Sequence, residues 1–162
     1  MPDIAMKPNR RLLLFLPLAH VFARYMQFFC FAGNVSLGLS SNLKTILADF
    51  KAFKPTFILA VPRIFEKIYN AASQKAGAGF KGRVFADATQ TAYDWSHAQQ
   101  SGGSIPLALN AKHALYNKLV YSSIMEVFGG HVEYAVSGGA PLDSSIAHFF
   151  NGVGLPLLEA TA

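Results

Sequence analysis

The sequence predicts an α/β fold, a layered sheet with flanking helices, and three observations point to it. Short apolar runs alternate with segments whose apolar residues recur at helical spacing, the order that lays down sheet and helix in turn. The run at residues 57–61 is apolar on consecutive residues, the pattern of a strand covered on both faces. Only 14% of the 162 residues are charged while 52% are apolar, which leaves little solvated surface for a chain the size of one domain. Together with a mean hydropathy of +0.28, this implies that something covers part of the surface, as in a slice of a larger α/β body.

The elements follow in order. Residues 12–16 read as a strand, residues 21–31 as an aromatic-rich helix, and residues 35–39 as the next strand. Ser41 or Asn42 can cap a helix whose apolar residues Leu43, Ile46, Leu47, Phe50 and Phe53 share one face, with Lys54-Pro55 ending it. The strand at 57–61 stops at Pro62, and Ile64, Phe65, Ile68 and Ala72 mark the helix after it, broken by Gly77 and Gly79.

Two longer helices come next, one around Val84, Ala88, Ala92 and Trp95, the other around Tyr116, Val120, Ile124 and Val127, with a polar linker at 99–106 between them. Gly129-Gly130 caps the second, after which Val132, Tyr134 and Val136 alternate with His131, Glu133 and Ala135 as in a strand. The turn Ser137-Gly138-Gly139-Ala140-Pro141 follows. Asp143 or Ser144 then caps a short helix bearing Ile146, Phe149 and Phe150, closed by Asn151-Gly152, and a further apolar run opens at Leu155. A chain that stops inside such a run looks cut, and no internal repeat or heptad pattern is present.

Several function classes are excluded or weakened. The formal net charge of +5 suits an anionic partner such as a nucleotide, CoA or a lipid surface, but basic residues are scattered, only Arg10-Arg11 being adjacent, so nucleic acid is not expected. The lone Cys30 sits in an apolar run, which implies a buried thiol in a reducing, cytoplasmic setting. Residues 7–19, with Lys7, Arg10 and Arg11 ahead of a short apolar centre, fall short of a signal peptide, because Pro17 ends the run. The histidines His20, His97, His113, His131 and His148 show no metal-ligand spacing, and Ser137 lacks the G-x-S-x-G elbow of a hydrolase.

From the residues alone, the best site candidate is the strand, glycine turn and helix at 131–150. Gly138 and Gly139 permit close approach to the backbone, and the following helix start offers unpaired N–H groups. Such a turn also serves merely to reverse the chain, and neither a Walker lysine nor a G-x-G-x-x-G spacing accompanies it.

Four stretches in order carry a resemblance. Leu16-Pro17-Leu18-Ala19-His20-Val21-Phe22, Lys54-Pro55-Thr56 with Val61-Pro62-Arg63-Ile64-Phe65-Glu66-Lys67-Ile68-Tyr69, Ser137-Gly138-Gly139-Ala140-Pro141-Leu142, and Leu157-Leu158-Glu159 resemble motifs of bacterial long-chain fatty acyl-CoA ligases, members of the adenylate-forming superfamily. The resemblance implies that residues 1–162 are a fragment of the large N-terminal, AMP-binding domain, with a helical insertion at about 80–128. It implies a two-step reaction in which a long-chain fatty acid and ATP form an acyl-adenylate with release of pyrophosphate, and CoA then displaces AMP, with Mg²⁺ assisting.

By the same resemblance, Ser137, Gly138, Gly139, Ala140 and Pro141 form the adenine- and AMP-binding turn. His20 and Phe65 are acyl-site gates, each with an ordinary structural role as the competing reading. No metal ligand and no complete catalytic set fall within the chain: the phosphate loop lies upstream, and after Glu159 the sequence reads Ala160-Thr161-Ala162 where the family continues into Y-G-x-T-E. The fragment alone is therefore expected to be inactive. The alternative is a non-catalytic α/β module that binds a nucleotide or acyl group or serves interaction. The remaining expectations are a cytoplasmic location, peripheral membrane association at the inner face through residues 25–31, and a homodimer.

Overall fold

The structure is a computed structural model that describes residues 9–102 and 104–160, so Lys7, Gly103, Thr161 and Ala162 lie outside the described residues. Five short strands form the sheet: β1 (Arg11–Leu14), β2 (Ser36–Leu39), β3 (Phe57–Ala60), β4 (Tyr134–Gly138) and β5 (Leu157–Ala160). All pair in parallel, in the order β2-β1-β3-β4-β5. Parallel strands need crossovers, and helices supply them: α1 (Val21–Ala32), α2 (Ile46–Phe53), α3 (Pro62–Ala76), α4 (Phe80–Gln100), α5 (Leu107–Tyr116), α6 (Ser122–Val127) and α7 (Ser144–Val153).

Strand alternation sends side chains to two separate cores. Leu13, Ile58, Ala60 and Ala135 join a large cluster with Phe50, Phe65, Phe149 and Phe150, contributed by α2, α3 and α7. Leu12, Leu14, Phe57, Leu59 and Val136 join a smaller one with Ala23 and Cys30 of α1. Each fully buried Leu, Ile or Phe among them contributes about 1.5–3 kcal/mol. One face thus carries a thick helical layer and the other a single helix. The outward side of α1 leaves Val21, Tyr25, Phe28 and Phe31 exposed at helical spacing, in line with a surface that something else covers.

Several boundaries differ from the sequence reading. β1 ends at Leu14, before Phe15 and Leu16. α2 starts at Ile46 rather than near Leu43, because Asn42 Oδ1 accepts from Lys44 N–H at 2.9 Å and stabilises a turn ahead of the helix instead of capping it. α5 begins at Leu107 and passes through a π-helical stretch, Asn117–Tyr121, into α6. That stretch accompanies Tyr121, which is fully buried and donates to Ala88 O at 2.7 Å.

The largest correction is Gly152. It does not close α7, which continues to Val153 and ends at Gly154 in the left-handed conformation. A Cβ on Gly152 would lie 2.0 Å from Ala92 O, so glycine is there to let α7 cross α4 backbone to backbone. The same junction holds Ser96 Oγ 3.1 Å from His148 Nδ1, and His113 Nε2 donates to Gly152 O at 2.5 Å while its ring stacks on Trp95.

Candidate functional site

The chain runs outward from β1 to β2, returns past β1 to β3, and then proceeds to β4 and β5. The connections leaving the carboxyl ends of β1 and β3 therefore run in opposite directions, which makes this edge a switch point of the kind at which open α/β sheets take their ligands. Three loops converge on it: residues 15–20 after β1, the β3–α3 junction at Val61, and residues 139–143 after β4.

The glycine turn is the centre of this edge. Ser137 pairs in register with Ala60 on one side and Glu159 on the other, and Gly138 with Ala160, so the turn leaves the sheet between two strands. Gly138 is buried, and a Cβ there would lie 3.3 Å from Phe22 Cε1 of α1. Gly139 takes φ +85, a conformation open to glycine but strained for other residues, and its nearest side-chain neighbour would be Val61 Cγ1 at 3.9 Å. Gly139, Ala140 and Pro141 are exposed and present a low, flat surface of backbone and small side chains.

Beyond Pro141, Leu142 N–H donates to Glu159 Oε1 at 2.9 Å, which ties the end of the turn to β5. Asp143 caps α7, as one of the two residues proposed for that role: its carboxylate accepts from Ser145 N–H at 2.8 Å and from the Ser145 hydroxyl. These hydrogen bonds hold its carboxyl below the usual aspartate range. The carboxylate faces its own helix start and is a cap rather than an acid or base.

The predicted residues differ in their burial. His20 is the N-cap residue of α1, exposed, with no side-chain cap hydrogen bond, and its helix brings Phe22 onto Gly138. Phe65 lies in the large cluster, fully buried, with its ring 5.5 Å from that of Phe150 in an edge-to-face contact. Ser137 is buried beside Ala60, and its Oγ has no hydrogen-bond partner among the described residues. Sequence reasoning missed Phe22 and the carboxylate of Glu159 as supports of the turn; both stand inside quoted motifs, but only contact across the sheet reveals them.

The exposed backbone at Gly139, Ala140 and Pro141 is open to close approach by a ligand. Among the described residues no three His, Cys, Asp or Glu side chains group to hold a metal, and Glu159 Oε1 accepts from Leu142 N–H at 2.9 Å.

A family described as AMP-binding enzyme matches residues 1–160. The chain is 47% identical over 154 residues to the long-chain-fatty-acid–CoA ligase FadD15 of Mycobacterium tuberculosis, covering 95% of this chain and 26% of that protein. It is 32% identical over 142 residues to the long chain acyl-CoA synthetase 3 of Arabidopsis thaliana, covering 87% and 21%. Among solved structures, the adenylation domain of a carboxylate reductase from Mycobacterium chelonae superposes with a TM-score of 0.61 at 22% identity, over 91% of this chain and 19% of that one. The A domain of a carboxylic acid reductase from Segniliparus rugosus, in complex with AMP and a co-purified carboxylic acid, gives 0.57 at 22% identity, over 91% and 20%. These two share the fold. The chain spans about a quarter or less of the length of the relatives it matches.

Proposed function

The chain belongs to the AMP-binding enzyme family, and from that premise we propose that it is part of the AMP-binding domain of a long-chain fatty acid–CoA ligase. The reaction is ATP plus fatty acid plus CoA to acyl-CoA, AMP and pyrophosphate, by way of an acyl-adenylate. The observation that carries this reading is the turn from Ser137 to Pro141, held at the carboxyl edge between Phe22, Val61 and Glu159.

In this reading Gly138 to Pro141 form the wall against adenine, and Phe22 and Glu159 keep that wall in place. His20, exposed at the start of α1, is the gate at the mouth of the acyl site. Phe65 acts as a gate only by leaving its contact with Phe150, so its part is a rotation coupled to the core. Helices α4, α5 and α6 are the helical insertion at about 80–128.

Mg²⁺ and the phosphate donors belong to other parts of such an enzyme, as does the site for CoA. Adenylation needs those donors as a unit, so the fragment alone does not turn over. The enzyme is cytoplasmic. The exposed row Val21, Tyr25, Phe28 and Phe31 supports contact with a further surface, either the inner face of the membrane or a second copy in a homodimer. No helix among the described residues is long and apolar enough to cross a membrane.

Photolabelling with 2-azido-AMP followed by peptide mapping tests the reading. Adducts are expected within residues 137–142 and are expected to be lost in Gly139→Trp. Adducts confined to other segments would overturn the assignment of the turn, and robust palmitate-dependent ATP–pyrophosphate exchange by this chain alone would refute its reading as an inactive fragment.

A further inference from the structure

Where α4 and α7 cross, Ala92 O meets Gly152, and one turn along each helix from that contact stand Ser96 and His148. Ser96 Oγ lies 3.1 Å from His148 Nδ1, across 52 residues of chain. Ser96 is 1% exposed, so its hydroxyl is a fixed anchor for the ring. Nδ1 is thereby occupied, while Nε2 of His148 has no hydrogen-bond partner among the described residues.

A second imidazole stands beside the first. The ring centre of His97 is 5.9 Å from that of His148, at an interplanar angle of 45°. Two imidazoles that ligate one ion through nitrogens at about 2.0–2.1 Å hold their ring centres about 5 to 6 Å apart. Tyr93 braces both rings: it stacks on His97 with centres 6.3 Å apart and meets His148 edge-on at 4.8 Å. His97 is exposed and His148 half-buried, so the pair is open to solvent.

We propose that His97 and His148 form a two-histidine site for a nitrogen-preferring divalent transition metal ion, Cu²⁺, Ni²⁺ or Zn²⁺, with water completing the coordination, and that the ion clamps α4 to α7. With the ion on Nε2, His148 Nδ1–H donates to Ser96 Oγ, the kind of outer bond that orients ligating histidines. Imidazoles without a carboxylate select these ions over Mg²⁺ and Ca²⁺. No third His, Cys, Asp or Glu joins the pair among the described residues, so affinity is modest and greatest for Cu²⁺. The proposal does not depend on the adenylate reading, since neither histidine belongs to the glycine turn. Photolabelling of that turn reports on the one, and metal binding on the other.

Cu²⁺ and Zn²⁺ are the probes, titrated against the full chain in metal-free buffer by calorimetry, with the nitrogen hyperfine structure of bound Cu²⁺ read by electron paramagnetic resonance. One ion per chain with two imidazole nitrogens is expected, and Zn²⁺ is expected to raise the thermal midpoint. H97Q and H148Q are each expected to weaken binding by about tenfold or more and to leave a single nitrogen on Cu²⁺. H131Q, at an exposed histidine elsewhere, should change neither. Ser96→Ala is expected to lower affinity by about tenfold while keeping both nitrogens, the mark of a residue that positions a ligand. Where H148Q fails to fold, H97Q at its exposed position still decides the matter. Unchanged affinity or an unchanged nitrogen count in H97Q overturns the proposal, as does a wild type that binds neither ion. So does metal-dependent dimerisation, which would put the ion between chains rather than between helices.

Discussion

Leu142 N–H donates to Glu159 Oε1 at 2.9 Å, so the residue that ends the glycine turn is fastened to the strand beside it. The bond spans 17 residues of chain and links the two segments that bracket α7. Replacing Glu159 by Ala is expected to speed amide exchange at Leu142 and to cost about 1 kcal/mol of stability. Glu159→Gln keeps an acceptor oxygen and should stay near wild type. Unchanged exchange at Leu142 in the Ala variant would show that the turn holds itself.

Gly152→Ala places a methyl group 2.0 Å from Ala92 O, against backbone that has no rotamer to yield. The crossing of α4 and α7 must open, with an expected loss of about 3 kcal/mol or more. Thermal unfolding followed by circular dichroism checks it; a melt within a degree or two of wild type would contradict the close crossing.

Cys30 is fully buried on the inner face of α1, and burial pushes its thiol up to about 11. Since the thiolate is the reactive form, iodoacetamide at pH 8 is expected to leave the folded protein unmodified and to alkylate it rapidly in denaturant. Rapid labelling of the folded chain would mean that α1 opens readily from the sheet.

Asp87 on α4 accepts from Lys112 Nζ at 2.8 Å and from the Tyr116 hydroxyl, both from α5. These hydrogen bonds hold its carboxyl below the usual aspartate value, and the same contact raises Tyr116. A carboxyl lowered by folding contributes stability that is fully present above its unfolded pKa and is lost as the pH falls through its folded one. The window is therefore below about pH 4. Because the pair is exposed, the effect is small and weakened by salt. Denaturant unfolding between pH 2 and 6 should show a shallower acid limb in Asp87→Asn than in wild type; superimposable limbs would exclude the link.

Much of the fold is legible because sheet and helix leave different periods in a chain. The run at 57–61 and the helical spacing after Pro62 mark β3 and α3 closely, and Gly77 and Gly79 end the helix with φ of +66 and +86. The turn from Ser137 to Pro141 is legible for the same reason, being local chemistry. Its supports are not: Phe22 lies 116 residues before Gly138 in sequence (138 − 22), and nothing in its neighbourhood announces the contact.

Residue type alone also left the glycines ambiguous. Gly139 and Gly152 both look like punctuation in the sequence, yet one bends an exposed turn and the other admits a neighbouring helix. Phe65 and His20 stand in equally plausible motifs, yet one is fully buried and the other exposed.

By itself the sequence determined the alternation of strands and helices, the burial of Cys30, a cap at Asp143 or Ser144 and the place of the glycine turn, because each rests on residues within a few positions of one another. The tertiary structure decided the strand order, the switch point between β1 and β3 and the closeness of α4 to α7. Those depend on which surfaces meet after the chain has crossed the sheet, and local propensity carries no record of that.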